Sequence, residues 1–226
     1  AQDLLQKRGR EVLHDEKWVK FLKRAGLFRH LPFVDFVLGA GSLATGRVSP
    51  DSDFDVIVGV RQGRIFTARF FAILAFGFFG WRRRRLNHHE AARDKVCLNH
   101  FVTPLAYRLS PPYSDSWREL YKNLVPVWGD REKINAFFMA NHLWLGEARV
   151  WADDMRYSRA GSGRVKLFLE KLFDEAFGDH LEGWLKKLQI KKIERSLKND
   201  PSGYSPRLRY DDAELEFHPD RRKFEE

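Results

Sequence analysis

The stretch VLGAGSLATGRVSPDSDFDVIVGV, residues 37–60, decides how this chain is read. An apolar run ends in Gly-Ala-Gly-Ser, and helix-compatible residues continue to Arg47. Residues 48–52 then have the proline, serine and aspartate of a turn, and Asp53-Phe54-Asp55 opens a second apolar run. The two runs are rich in β-formers and read as strands over 33–39 and 53–60. Side chains two apart on a strand share a face, so Asp53 and Asp55 point together while Phe54 enters the core. Gly41 lets the backbone turn sharply and approach a ligand closely. Ser42 follows at a helix start, where N–H groups without helical partners attract phosphate oxygens. Two carboxylates on one face suit one or two hard divalent cations, magnesium or manganese, which bridge the phosphates of a nucleoside triphosphate. The plainer alternative is a Gly-Ser turn beside a charged strand edge. It fits less well, because the strand is otherwise apolar on both faces and carboxylates at its start need a partner.

Outward from this window, residues 3–28 carry apolar positions at helical spacing, stopped by Gly26 and Pro32. IFTARFFAILAFGFFGW, 65–81, is nearly all apolar and is followed by Arg82–Arg85. At 17 residues with Arg69 inside it, this run is short for a membrane span and reads as a buried helix, with an interfacial helix as the alternative. KVCLNHFVTP, 95–104, is a third strand. Helices follow over 114–125, with Ser114 as candidate N-cap, and over 131–145, with VPVWGD as a break between them. Residues 165–199 read as one long helix, or two joined near Gly178–Gly183. RLRYDDAELEFH reads as a hairpin turning at Asp211-Asp212. The expected fold is α+β: a small mixed sheet of three strands with the site on one edge and helices over its other side. The expected divisions are an N-terminal helix (1–32), a core (33–130) and a mainly helical region ending in the hairpin (131–226), which packs on the core and closes the cleft.

The pattern of apolar strand, Gly41-Ser42, ten residues from Leu43 to Ser52, then Asp53-Phe54-Asp55 and further apolar residues resembles the DNA polymerase β-like nucleotidyltransferase superfamily. It looks most like that superfamily's small stand-alone bacterial and archaeal members. The resemblance implies transfer of a nucleoside monophosphate from an NTP, ATP among the candidates, to an acceptor hydroxyl with release of pyrophosphate. It assigns Asp53 and Asp55 to metal and catalysis, and Gly41 and Ser42 to the phosphates. Arg47 lies near enough in sequence to touch a phosphate or to make a surface ion pair. Superfamily enzymes usually carry a third carboxylate on a later strand. Residues 96–104 contain no acid, and the expected position holds Cys97 or Asn99, with His100 expected on the opposite face. Glu90 and Asp94, just before the strand, are the acids that could reach in. This gap leaves open a catalytically inactive nucleotide- or partner-binding protein.

With 40 Lys+Arg against 31 Asp+Glu the formal charge is +9, which favours anionic partners without choosing among them. Arg82–Arg85 is a solvated helix end or a patch for such a partner, and a basic membrane- or nucleic-acid-binding protein is the remaining alternative. His88-His89 beside Glu90 lacks the spacing of a metal site. The single cysteine, Cys97, excludes an intrachain disulfide and fits a reducing, cytoplasmic setting. It reads as a buried apolar residue. The acceptor is unspecified: protein, RNA or a small molecule.

Overall fold

The two apolar runs flanking Gly41 become interior strands of a six-stranded mixed sheet. The computed structural model describes residues 2–83, 92–111, 115–146, 151–159, 161–198 and 207–218. β1 (Val34–Gly39) pairs antiparallel with β2 (Phe54–Val60), which pairs parallel with β3 (Val96–Val102). β4 (Val125–Gly129) lies against β1, and the hairpin of β5 (Arg207–Tyr210) and β6 (Glu214–His218) adds to β3. The order is β4-β1-β2-β3-β6-β5. Seven α-helices accompany it among the described residues: α1 (Gln2–Ala25), α2 (Gly41–Thr45), α3 (Ile65–Phe78), α4 (Asp115–Lys122), α5 (Arg131–Leu145), α6 (Arg164–Leu172) and α7 (Ala176–Lys198).

Strand alternation divides the core in two. Phe54, Val56, Val58 and Val60 pack with Trp18 and Phe21 of α1, Phe66 and Phe76 of α3 and Leu185 of α7. Ile57 packs on the other face with Phe36, Leu38, Trp117, Tyr121 and Phe137. Both faces are covered, which is why β2 reads as continuously apolar.

Several expectations need correction. The sheet has six strands rather than three, helices lie on both its faces, and the site stands at the ends of interior strands rather than on an edge. VPVWG is an edge strand, not a break; Pro126 is tolerated there because an edge position need not donate to a ladder. The long C-terminal helix is broken at Phe173–Glu175, ahead of Gly178 and Gly183, which lie inside α7. The Arg64 guanidinium holds that break, donating to the carbonyls of Phe173 (3.2 Å) and Asp174 (3.0 Å). Gly178 is required there, since a Cβ would lie 1.8 Å from the Phe173 carbonyl oxygen. Glu182 of α7 then accepts from the N–H groups of Phe66 (2.9 Å) and Thr67 (2.8 Å) in the first turn of α3. So the C-terminal helices do pack on the core, but α6 and α7 do not close over the carboxylates. Leu185 of α7 belongs to the core on the Phe54 side of β2, whereas Asp53 and Asp55 point to the side of α4 and α5. α3 is shorter than the apolar run that encodes it, and no described helix is long and apolar enough to cross a membrane. Ser114 lies outside the described residues.

Candidate functional site

The Gly-Ser turn and the Asp-x-Asp pair meet at Asp55. Gly41 has φ +62°, and a Cβ on it would stand 2.1 Å from Asp55 Oδ2, so only glycine fits this turn. The Ala40 N–H donates to the Asp55 carbonyl at 3.0 Å, stitching the turn to β2. Gly41 opens α2, with Ser42 half-buried behind it. The Arg47 N–H closes α2 by donating to Ser42 O at 2.9 Å, and the Arg47 side chain is exposed.

α1 holds both halves of this arrangement in place. Lys17 is buried and its ammonium donates to the carbonyls of Pro50 (2.8 Å) and Ser52 (2.9 Å), fixing the turn that delivers Asp53. It also pairs with Asp94 at 2.7 Å. His14 Nε2 lies 2.8 Å from the Leu43 carbonyl and ties down α2. Asp94 is therefore committed to α1, to Lys20 as well as Lys17, and does not supply a site carboxylate.

Asp53 accepts from Arg83 Nη1 at 2.6 Å. Arg83 reaches it because the chain before β3 runs beside that strand: Arg82 bridges to Val96, and the Arg83 N–H donates to Val96 O at 3.0 Å. The basic cluster thus begins at the site. Arg84, Arg85, His88, His89 and Glu90 lie outside the described residues. Opposite Asp55 on the parallel strand stands Cys97. Ligand atoms of Asp53, Asp55 and Cys97 all lie within 4.8 Å of one another. Burial, reinforced by the neighbouring Asp53, pushes the Asp55 carboxyl up to about 7; Arg83 and a hydrogen bond with Cys97 oppose the shift. Burial, with Asp55 and Asp53 beside it, pushes the Cys97 thiol well up, so it is a poor nucleophile. A buried carboxyl pushed up beside a second acid is a donor set that a divalent cation would relieve, and the carboxylate oxygens suit a hard ion.

The position opposite Asp55 resolves to Cys97, while Asn99 sits in a bulge. Across β2 and β3 the register passes from Asp55↔Cys97 to Ile57↔His100, so Leu98 and Asn99 together oppose Val56. That extra residue returns His100 to the face of Cys97, contrary to the expected alternation. There His100 meets Glu214 (Nε2 to Oε1, 2.9 Å), and Glu214 accepts from Arg209 at 3.0 Å. Glu216 accepts from Arg207 Nε at 2.8 Å. His100, Glu214 and Glu216 form a second buried group with metal-ligand spacing. Sequence reasoning missed it. The signal was in the hairpin, where Arg207, Arg209, Glu214 and Glu216 alternate with Leu208, Tyr210, Leu215 and Phe217 and so share one face.

No protein-family model, curated protein or solved structure matches this chain. The functional reading rests on the residues and their arrangement alone.

Proposed function

We propose that this chain is a metal-dependent nucleotidyltransferase, moving a nucleoside monophosphate from an NTP to an acceptor hydroxyl with release of pyrophosphate. The contact of Gly41 with Asp55 carries the reading. A glycine whose side-chain position is filled by a metal-type carboxylate brings free backbone N–H groups and the acid pair to one point. A bare turn would not need that coincidence. Asp53 and Asp55 would hold the cation, and the N–H groups of Gly41 and Ser42 would meet the β- and γ-phosphates. A bound magnesium or manganese ion would neutralise the triphosphate and steady the leaving pyrophosphate. Arg83, which pairs with Asp53 at 2.6 Å, is the guanidinium beside the acid pair that would meet a phosphate oxygen. Lys17 and His14 position the two halves through the Pro50–Ser52 turn and α2.

A second reading has its own support. Cys97 stands opposite Asp55, where a third carboxylate would complete the set, and Arg83 already neutralises Asp53. Both features favour a nucleotide- or partner-binding protein without turnover. Incubation with magnesium or manganese, each NTP and cell extract as acceptor source separates the two. Pyrophosphate release that Asp53→Asn/Asp55→Asn abolishes supports transfer; metal-NTP binding without release supports the second reading.

A further inference from the structure

The C-terminal helices expose an apolar surface that the proposed reaction does not use. On α6, Val165, Phe168 and Leu172 recur at i, i+3 and i+7, on the side away from buried Lys166. Phe168 is 66% exposed and Leu172 52%. The stripe continues through Phe173, which stacks on Phe177 with centroids 5.8 Å apart. Along α7, Phe177, Trp184 and Leu188 lie at i, i+7 and i+11, one face of the helix, and are 63%, 58% and 44% exposed. Buried Glu182, Leu185 and Gln189 occupy the other face of α7.

Exposed Asp174, Glu175 and Asp179 lie near the middle of this stripe, Asp174 and Asp179 paired with Arg61 and Arg64, and from Trp184 onward the charges are one-sided. Lys187, Lys191, Lys192 and Arg195 are all exposed, and Glu194 is the one acid between Trp184 and Lys198. The pairing of the two features selects the partner. A dry contact with a second copy would favour the aromatic residues but disfavour clustered lysines. A nucleic acid would use the lysines and could stack bases on Phe177 and Trp184, but gives no place for Val165, Leu172 and Leu188. An anionic lipid surface uses both, with apolar side chains entering the headgroup boundary and lysines meeting the phosphates. We infer that the outer face of α6 and α7 docks on anionic membrane surfaces. This face lies on the opposite side of the sheet from Asp53 and Asp55, so docking would leave that site open.

Sedimentation of the full chain with vesicles of phosphatidylcholine alone, or mixed with phosphatidylglycerol, tests this. Partitioning into the anionic vesicles is expected, weakening as salt rises. Lys187→Glu/Lys191→Glu/Lys192→Glu should lower it by on the order of a hundredfold. Trp184→Ser/Leu188→Ser should lower it by roughly tenfold. Both variants change exposed positions, and circular dichroism should report an unchanged fold. Asp53→Asn/Asp55→Asn should bind vesicles like the wild type, which separates this proposal from the transferase reading. Absence of vesicle binding, or equal binding by all variants, overturns it. So does a dimer lost in Trp184→Ser/Leu188→Ser, or RNA binding lost in the charge variant without any vesicle binding.

Discussion

Replacing Gly41 by alanine places a methyl group inside the Asp55 carboxylate. The new Cβ would meet Oδ2 at 2.1 Å and Cγ at 2.9 Å, so Asp55 or the turn must move by an ångström or more. Two penalties add. The left-handed backbone at φ +62° disfavours any L side chain by about 1–2 kcal/mol. Overpacking contributes a further ~1–3 kcal/mol. Gly46 supplies the control, because it has φ +75° but nothing within 4 Å of its Cβ position. Gly46→Ala should therefore lose only the backbone part. Urea unfolding followed by tryptophan fluorescence should place Gly41→Ala below Gly46→Ala by ~1–3 kcal/mol. Asp55→Ala should recover part of that difference in a double-mutant cycle. Equal destabilisation by the two alanines would refute the claim that turn and carboxylate are built against each other.

Three further outcomes follow from the same geometry. The Asp55 carboxyl, raised to about 7, binds its proton more tightly in the folded than in the unfolded chain. Its contribution is therefore full below the ordinary carboxylate range, near pH 4, and is lost as pH rises through about 7. Melting temperatures of the metal-free protein should fall across that window, with the Asp55→Asn variant showing a flatter profile and manganese opposing the fall. Arg83→Ala leaves Asp53 and Asp55 without their guanidinium; a loss of ~1–3 kcal/mol is expected, allowing for partial solvent screening. Manganese should stabilise that variant more than it does the wild type, as read by thermal shift. Glu182→Ala removes the acceptor for two α3 N–H groups and the Thr67 hydroxyl. It should lower unfolding free energy by about 2–3 kcal/mol without changing metal binding.

The central strands and the glycine turn were legible because their signals are local: β-formers, a proline turn and a two-residue spacing that fixes a face. What escaped depends on distant partners. β4 looked like a break because Pro126 and Gly129 are turn residues anywhere except on an edge strand. His100 was assigned to the wrong face because alternation presumes an unbroken register, and Leu98 and Asn99 share one place opposite Val56. Arg83 sat in a basic run with no local sign that it would meet Asp53. Asp94 looked available as a site acid until Lys17 and Lys20 claimed it, from a helix more than 70 residues earlier. The absence of a carboxylate on β3, by contrast, was plain from sequence, and the register places Cys97, not Asn99, opposite Asp55.

The most direct measurement is calorimetric binding of each NTP in the presence and absence of manganese, with Asp53→Asn/Asp55→Asn alongside. Binding should require the metal and be lost in the double variant, with affinity rising as pH passes through about 7 and Asp55 gives up its proton. Nucleotide binding that ignores both the metal and the two carboxylates, or no binding of any NTP, would contradict it.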